Sequence, residues 1–167
     1  AETVDYAATA FLILCASLVL LMTIPGLALF YGGMTRTKSV LNMMMMSFGA
    51  MGVVGIIYVL YGYSMSFGSE NVGGIIANPF EKFGLAGTDT IINPFGYEGY
   101  GNIPELAFVG FQLTFAVITV ALISGAVADR VKFSTWMVFA ALWVTFAYFP
   151  IAHMVWGGGL LSGAEGG

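Results

Sequence analysis

Four stretches, residues 7–33, 41–67, 104–128 and 134–155, are almost free of charge, and nothing else constrains this chain as strongly. Three of them contain no Asp, Glu, Lys or Arg, and the third contains only Glu105. Each exceeds the ~20 residues that a helix needs to cross the hydrocarbon core of a bilayer at ~1.5 Å per residue. A soluble domain of this size has one core and cannot bury four such runs. With 59% hydrophobic and 8% charged residues, against roughly 25% charged in soluble domains, the composition agrees. The expectation is an all-α, polytopic membrane helix bundle with the lipid bilayer as its first partner.

The linkers set the orientation. Arg36 and Lys38 lie between the first two runs, and Arg130 and Lys132 between the last two, so four of the five basic residues occupy alternate short loops. Those loops are expected on the cytoplasmic side. The acidic Glu2, Asp5, Glu70, Glu81, Asp89, Glu98, Glu105 and Glu165 fall on the other side, with Lys82 as the basic exception. This places the N-terminus outside, in a cell (plasma or inner) membrane. The N-terminal stretch Ala1–Asp5 carries no basic residue ahead of the first apolar run, as in a chain whose leader has been removed. A net charge of −4 with no basic cluster excludes nucleic acid as a partner.

Within the runs, Pro25 and Gly26 predict a kink in the first helix. Met43 to Met46 are consecutive, so they spread around a helix instead of lining one face, which favours flexible packing over a thioether metal path. Gly49, Gly52 and Gly55 predict close helix contact. The segment 68–103 is rich in Gly, Asn and Pro, with Asn78-Pro79-Phe80 echoed by Asn93-Pro94-Phe95, which reads as turn chemistry. A loop this long is either functional or packed on the body.

Few residues offer chemistry. Phe108, Phe111 and Phe115 recur at helical spacing, which puts all three rings on one face near one end of the third run. Such a stripe is ordinarily core packing. Trp156 at the same membrane face adds a second π surface for a cation, worth about 0.5–2 kcal/mol per contact. The stretch Ile151–Leu161 also holds His153, the only histidine, and Gly157–Gly159. A lone histidine is a poor metal site, because zinc needs three or four converging ligands, so a structural role is expected. Gln112 and Thr119 require polar partners inside the bundle. Asp129 and Arg130 read as an interfacial ion pair, and Cys15 as a packing residue. No nucleophile with a base, no phosphate-cradling loop and no cofactor motif is present, so neither an enzyme nor a cofactor is expected.

Several motifs occur together: Met22–Gly33 (MTIPGLALFYGG), Tyr61–Ser64 (YGYS), Phe111–Phe115, Gly125–Arg130 (GAVADR) and Pro150–Leu161 (PIAHMVWGGGLL). In this order the chain resembles the Amt/Mep ammonium transporters. The likeness spans nearly all of it except the 69–102 loop.

The resemblance implies an eleven-helix fold of two inverted repeats, assembled as a homotrimer, of which residues 1–167 are the N-terminal part. It implies ammonium or ammonia as substrate, with methylammonium as an analogue, and a cytoplasmic regulatory protein as a further partner. Phe111, Phe115 and Trp156 match the family's vestibule aromatics, with Phe115 also matching a gate phenylalanine. The family's pore histidines correspond to positions beyond Gly167, and His153 matches neither. Two alternatives stay open: an ammonium sensor with little transport, and a stand-alone membrane bundle that does not transport.

Overall fold

The structure is a computed structural model that describes residues 3–94 and 101–162. Glu2, Glu98, Glu165 and Phe95, the last completing the Asn-Pro-Phe echo, lie outside the described residues. Four helices long and apolar enough to cross a membrane account for the four runs: α1 (Tyr6–Met34), α2 (Val40–Phe67), α3 (Glu105–Val127) and α4 (Phe133–Trp156). Each end lies within one residue of the expected boundary. The apolar runs end where charge or turn residues begin, and there the backbone can leave the helix at low cost.

Asp5 starts α1. Its carboxylate accepts the Ala8 N–H at 3.0 Å, satisfying one of the free donors of the first turn. The expected kink is present, with Ile24 leaving the helical region at φ −137°, ψ 110° just before Pro25. Proline has no N–H to donate and its ring crowds the preceding turn, so the ladder widens and Ala28 N–H reaches back to Thr23 O. Two further widened turns occur without proline. In α2 Tyr63 N–H bonds Tyr58 O, and in α4 Phe149 N–H bonds Val144 O.

Helix α2 is the centre of the bundle, packing on the second half of α1, on α3 and on α4. The methionine row distributes as its spacing requires: Met43 and Met46 are fully buried, while Met45 is 44% exposed. The Trp136 indole N–H donates to Met46 O at 3.0 Å, joining α4 to α2. The glycine expectation needs correction. Gly49 does sit under a neighbour, since a Cβ there would lie 2.7 Å from Met137 Sδ, but Gly52 and Gly55 face open space. Another close glycine contact is at Gly62, where a Cβ would be 2.2 Å from Phe149 Cζ. It falls where the widened turns of α2 and α4 meet.

Asp5, the 68–102 segment and the end of α4 share one face of the bundle. Asp5 N–H bonds Asn102 O at 2.8 Å, and Leu160 N–H bonds Gly74 O at 3.0 Å. The described part of this segment, residues 68–94 and 101–102, is packed on the body. It forms two small antiparallel ladders, β1 (Asn71–Val72) with β2 (Ile76–Ala77) and β3 (Ile91–Ile92) with β4 (Ile103–Pro104), with a single 3-10 turn at Phe83–Leu85 between them.

Candidate functional site

Two carboxylates organise the segment, Glu105 by tying it to the bundle and Glu81 from within it. Glu105, the first residue of α3, is 98% buried by its 2% exposure and receives three donors: the Tyr63 hydroxyl at 2.8 Å, Lys82 Nζ at 2.5 Å and the Thr90 hydroxyl at 2.6 Å. Lys82 also lies 5.8 Å from the centre of the Tyr63 ring. This explains the exception in the charge pattern. Lys82 is consumed by a buried partner and is not a free charge on that face.

Glu81 collects Ser69 N–H at 3.1 Å, Glu70 N–H at 3.0 Å and the Ser69 hydroxyl. Burial pushes its carboxyl upward, but these hydrogen bonds and the Lys82 charge outweigh that and hold it below the usual carboxylate value. Asp5 is likewise lowered, first by the Ala8 N–H and then by the Gly101 N–H at 3.2 Å.

The aromatic stripe of α3 divides. Phe108 is buried against Phe67 of α2, edge to face at 5.1 Å, and is a core residue. Phe111 and Phe115 do meet, edge to face at 4.9 Å, and both are half-buried. Their carbonyls accept the Thr114 hydroxyl at 2.6 Å and the Thr119 hydroxyl at 2.7 Å, so Thr119 finds its partner in its own helix. Gln112 does not follow expectation, because its buried Oε1 has no partner among the described residues.

Trp156, the last residue of α4, is 56% exposed and forms no ring pair with Phe111 or Phe115. Phe111 lines a cavity of about 180 Å³ against Leu12 and Cys15 of α1. Trp156 lines a separate cleft of about 100 Å³ with Tyr148, Ile151 and Val155. The Phe111–Phe115 pair on α3 and the Trp156 indole on α4 are thus separate aromatic surfaces.

His153 is fully buried, with Nδ1 3.0 Å from Ser66 O of α2. No group of three metal-binding side chains occurs among the described residues. At the opposite face, Asp129 and Arg130 do not form the expected ion pair. Both line an open cleft with Ser39, Asn42 and Lys132, and Asp129 has a positive φ of 61° that turns the chain between α3 and α4.

Sequence reasoning missed an aromatic junction between α2 and α4. Tyr58 and Tyr61 both pack on the Phe149 ring, at 5.9 and 6.2 Å, and the Tyr61 hydroxyl is 2.7 Å from that of Thr145. The Tyr-Gly-Tyr spacing around Gly62 was the available signal.

Residues 10–166 match the sequence profile of the Ammonium Transporter Family. The chain belongs to that family. The ammonium transporter of Mycobacterium tuberculosis is 53% identical over 161 aligned positions, covering 88% of this chain and 32% of that protein. The ammonium transporter of Aquifex aeolicus is 47% identical over 158 positions, covering 95% of this chain and 36% of that protein. The crystal structure of Saccharomyces cerevisiae Mep2 superposes with a TM-score of 0.77 at 30% identity, over 95% of this chain and 35% of Mep2. The chain therefore spans about a third of the length of these relatives, and within that third the family fold is preserved.

Proposed function

We propose that this protein moves ammonium or ammonia across the cell membrane, with a cation-recruiting aromatic site at one face. The observation that carries the reading is the half-exposed Trp156 indole, on the bundle face from which α3 descends with its Phe111–Phe115 pair, in a chain that matches the ammonium transporter family over residues 10–166. That face is the outer one, because Arg36, Lys38, Arg130 and Lys132 all belong to the loops of the opposite face. Residues 1–167 are then the N-terminal part of the transporter domain, with the N-terminus outside, and the functional unit is a homotrimer open to a cytoplasmic regulatory partner. The protein performs transport without covalent chemistry on the substrate.

The physics favours two stages. A bare cation cannot enter a narrow apolar passage, since desolvating it costs on the order of tens of kcal/mol. A π face at the mouth offsets part of the first desolvation step, about 0.5–2 kcal/mol per ring. Trp156 therefore recruits the cation, and the edge-to-face Phe111–Phe115 pair acts deeper, as a barrier past which ammonia travels after ammonium has given up a proton, the proton crossing separately. The test is uptake of labelled methylammonium by cells that express the complete gene and lack other transporters. Trp156→Leu is expected to raise KM, and Phe115→Ala to alter Vmax. Wild-type KM and Vmax in both variants would overturn the assignment.

A further inference from the structure

The structure assigns His153 as a positioning residue for Trp156, an inference that rests on the recruiting role just proposed. His153 is 1% exposed, and the partner of its Nδ1 is the Ser66 carbonyl at 3.0 Å. A carbonyl only accepts, so Nδ1 is the donor of this bond. Nε2 is buried and has no partner among the described residues, so Nδ1 makes the ring's one hydrogen bond there. That bond fixes the last turns of α4 to the end of α2.

The same carbonyls and backbone fix the residues on either side of Trp156. The His153 carbonyl accepts both Gly157 N–H at 3.0 Å and Gly159 N–H at 3.1 Å, so the chain folds back directly after the tryptophan. Gly157 is pressed against the imidazole contact, and a Cβ there would lie 2.1 Å from Ser66 O and 2.6 Å from His153 Nδ1. Leu161 N–H bonds Met154 O at 2.8 Å, and Asn71 Nδ2 reaches Gly158 O at 3.3 Å, which seats the turn on the β1–β2 hairpin. Trp156 itself is exposed at this knot and forms no ring pair among the described residues. Its direction is set by its backbone, and its backbone by His153 on one side and the glycine turn on the other.

The test is a mutant cycle in the complete transporter, reading methylammonium KM and Vmax per molecule at the membrane. His153→Ala is expected to raise KM about fivefold, the scale set by losing one positioning hydrogen bond, with Vmax within about twofold. His153→Asn places an amide N–H near the Nδ1 position and is expected to restore KM. Gly157→Ala, which drives a methyl into the same junction, is expected to raise KM as His153→Ala does. It carries the test if His153→Ala fails to reach the membrane. In a Trp156→Leu background neither change is expected to shift KM further.

Three results overturn the inference while leaving Trp156 as recruiter. They are a wild-type KM in the His153 and Gly157 variants despite a raised KM in Trp156→Leu, effects that multiply in the double variants, and no recovery with asparagine. An unchanged KM in Trp156→Leu overturns the recruitment reading itself and the positioning role with it.

Discussion

Replacing Lys82 with methionine tests the clamp on the long segment between α2 and α3. The substitution keeps the length of the side chain and removes its charge, leaving the Glu105 carboxylate 2% exposed with only the Tyr63 and Thr90 hydroxyls as donors. Breaking a buried ion pair on one side costs about 3–5 kcal/mol. The Lys82 side chain is 23% exposed, so water already screens part of the interaction, and about 2–3 kcal/mol is the appropriate scale.

The loss is local, because Lys82 and Thr90 belong to the segment while Glu105 and Tyr63 belong to α3 and α2. It should therefore appear as easier opening of the segment. Hydrogen exchange of the Leu85 amide, bonded to Lys82 O at 2.9 Å, and of the Glu105 amide, bonded to Thr90 O at 2.9 Å, reports that opening. At ~1.4 kcal/mol per tenfold, both amides are expected to exchange roughly 30- to 150-fold faster in detergent-solubilised Lys82→Met protein. The double variant Lys82→Met with Glu105→Gln removes the stranded charge and should return to within about tenfold of the parent. Exchange within threefold of the parent in the single variant, or faster exchange in the double than in the single, would refute the reasoning.

Two further predictions concern the second carboxylate and the α2–α4 junction. The Glu81 carboxyl lies below its ordinary value in the folded protein, so its stabilisation is complete above the unfolded value of about 4.3 and is lost as pH falls through the lower folded value. The melting temperature of the parent is thus expected to exceed that of Glu81→Gln near pH 6, and the gap to close below about pH 4. A gap independent of pH contradicts this. At Gly62, alanine would place its methyl against the Phe149 ring, and this overpacking is expected to cost about 1–3 kcal/mol. Adding Phe149→Leu should recover part of the lost melting temperature, and no recovery would mean that the ring is not what the methyl meets.

The spans were legible because their signal is one of length and polarity, and helix ends follow from it. The kink at Pro25 was legible for an equally local reason, a missing donor. What faces what was not legible. These helices are apolar on nearly every side, so no stripe marks the buried face, and the rotation of each about its axis is decided only by packing. That is why the contact of Phe108 with Phe67 could not be read from spacing alone. It is also why Gly49 and Gly62, but not Gly52 and Gly55, ended up against a neighbour. The contact of His153 with Ser66 spans 87 residues and joins a side chain to a backbone carbonyl. Residue types carry no mark of such a contact. The same holds for Lys82, whose partner is 23 residues away across the start of a helix.

That separation bears on the order of events during synthesis. Lys82 leaves the ribosome before Glu105, and Glu105 opens the next helix to be inserted. The ladder of β3 with β4 and the buried ion pair can form only once residues 103–105 have been made. Closure of the segment therefore waits on the first residue of α3, and the ion pair ties a loop to a helix that is synthesised after it.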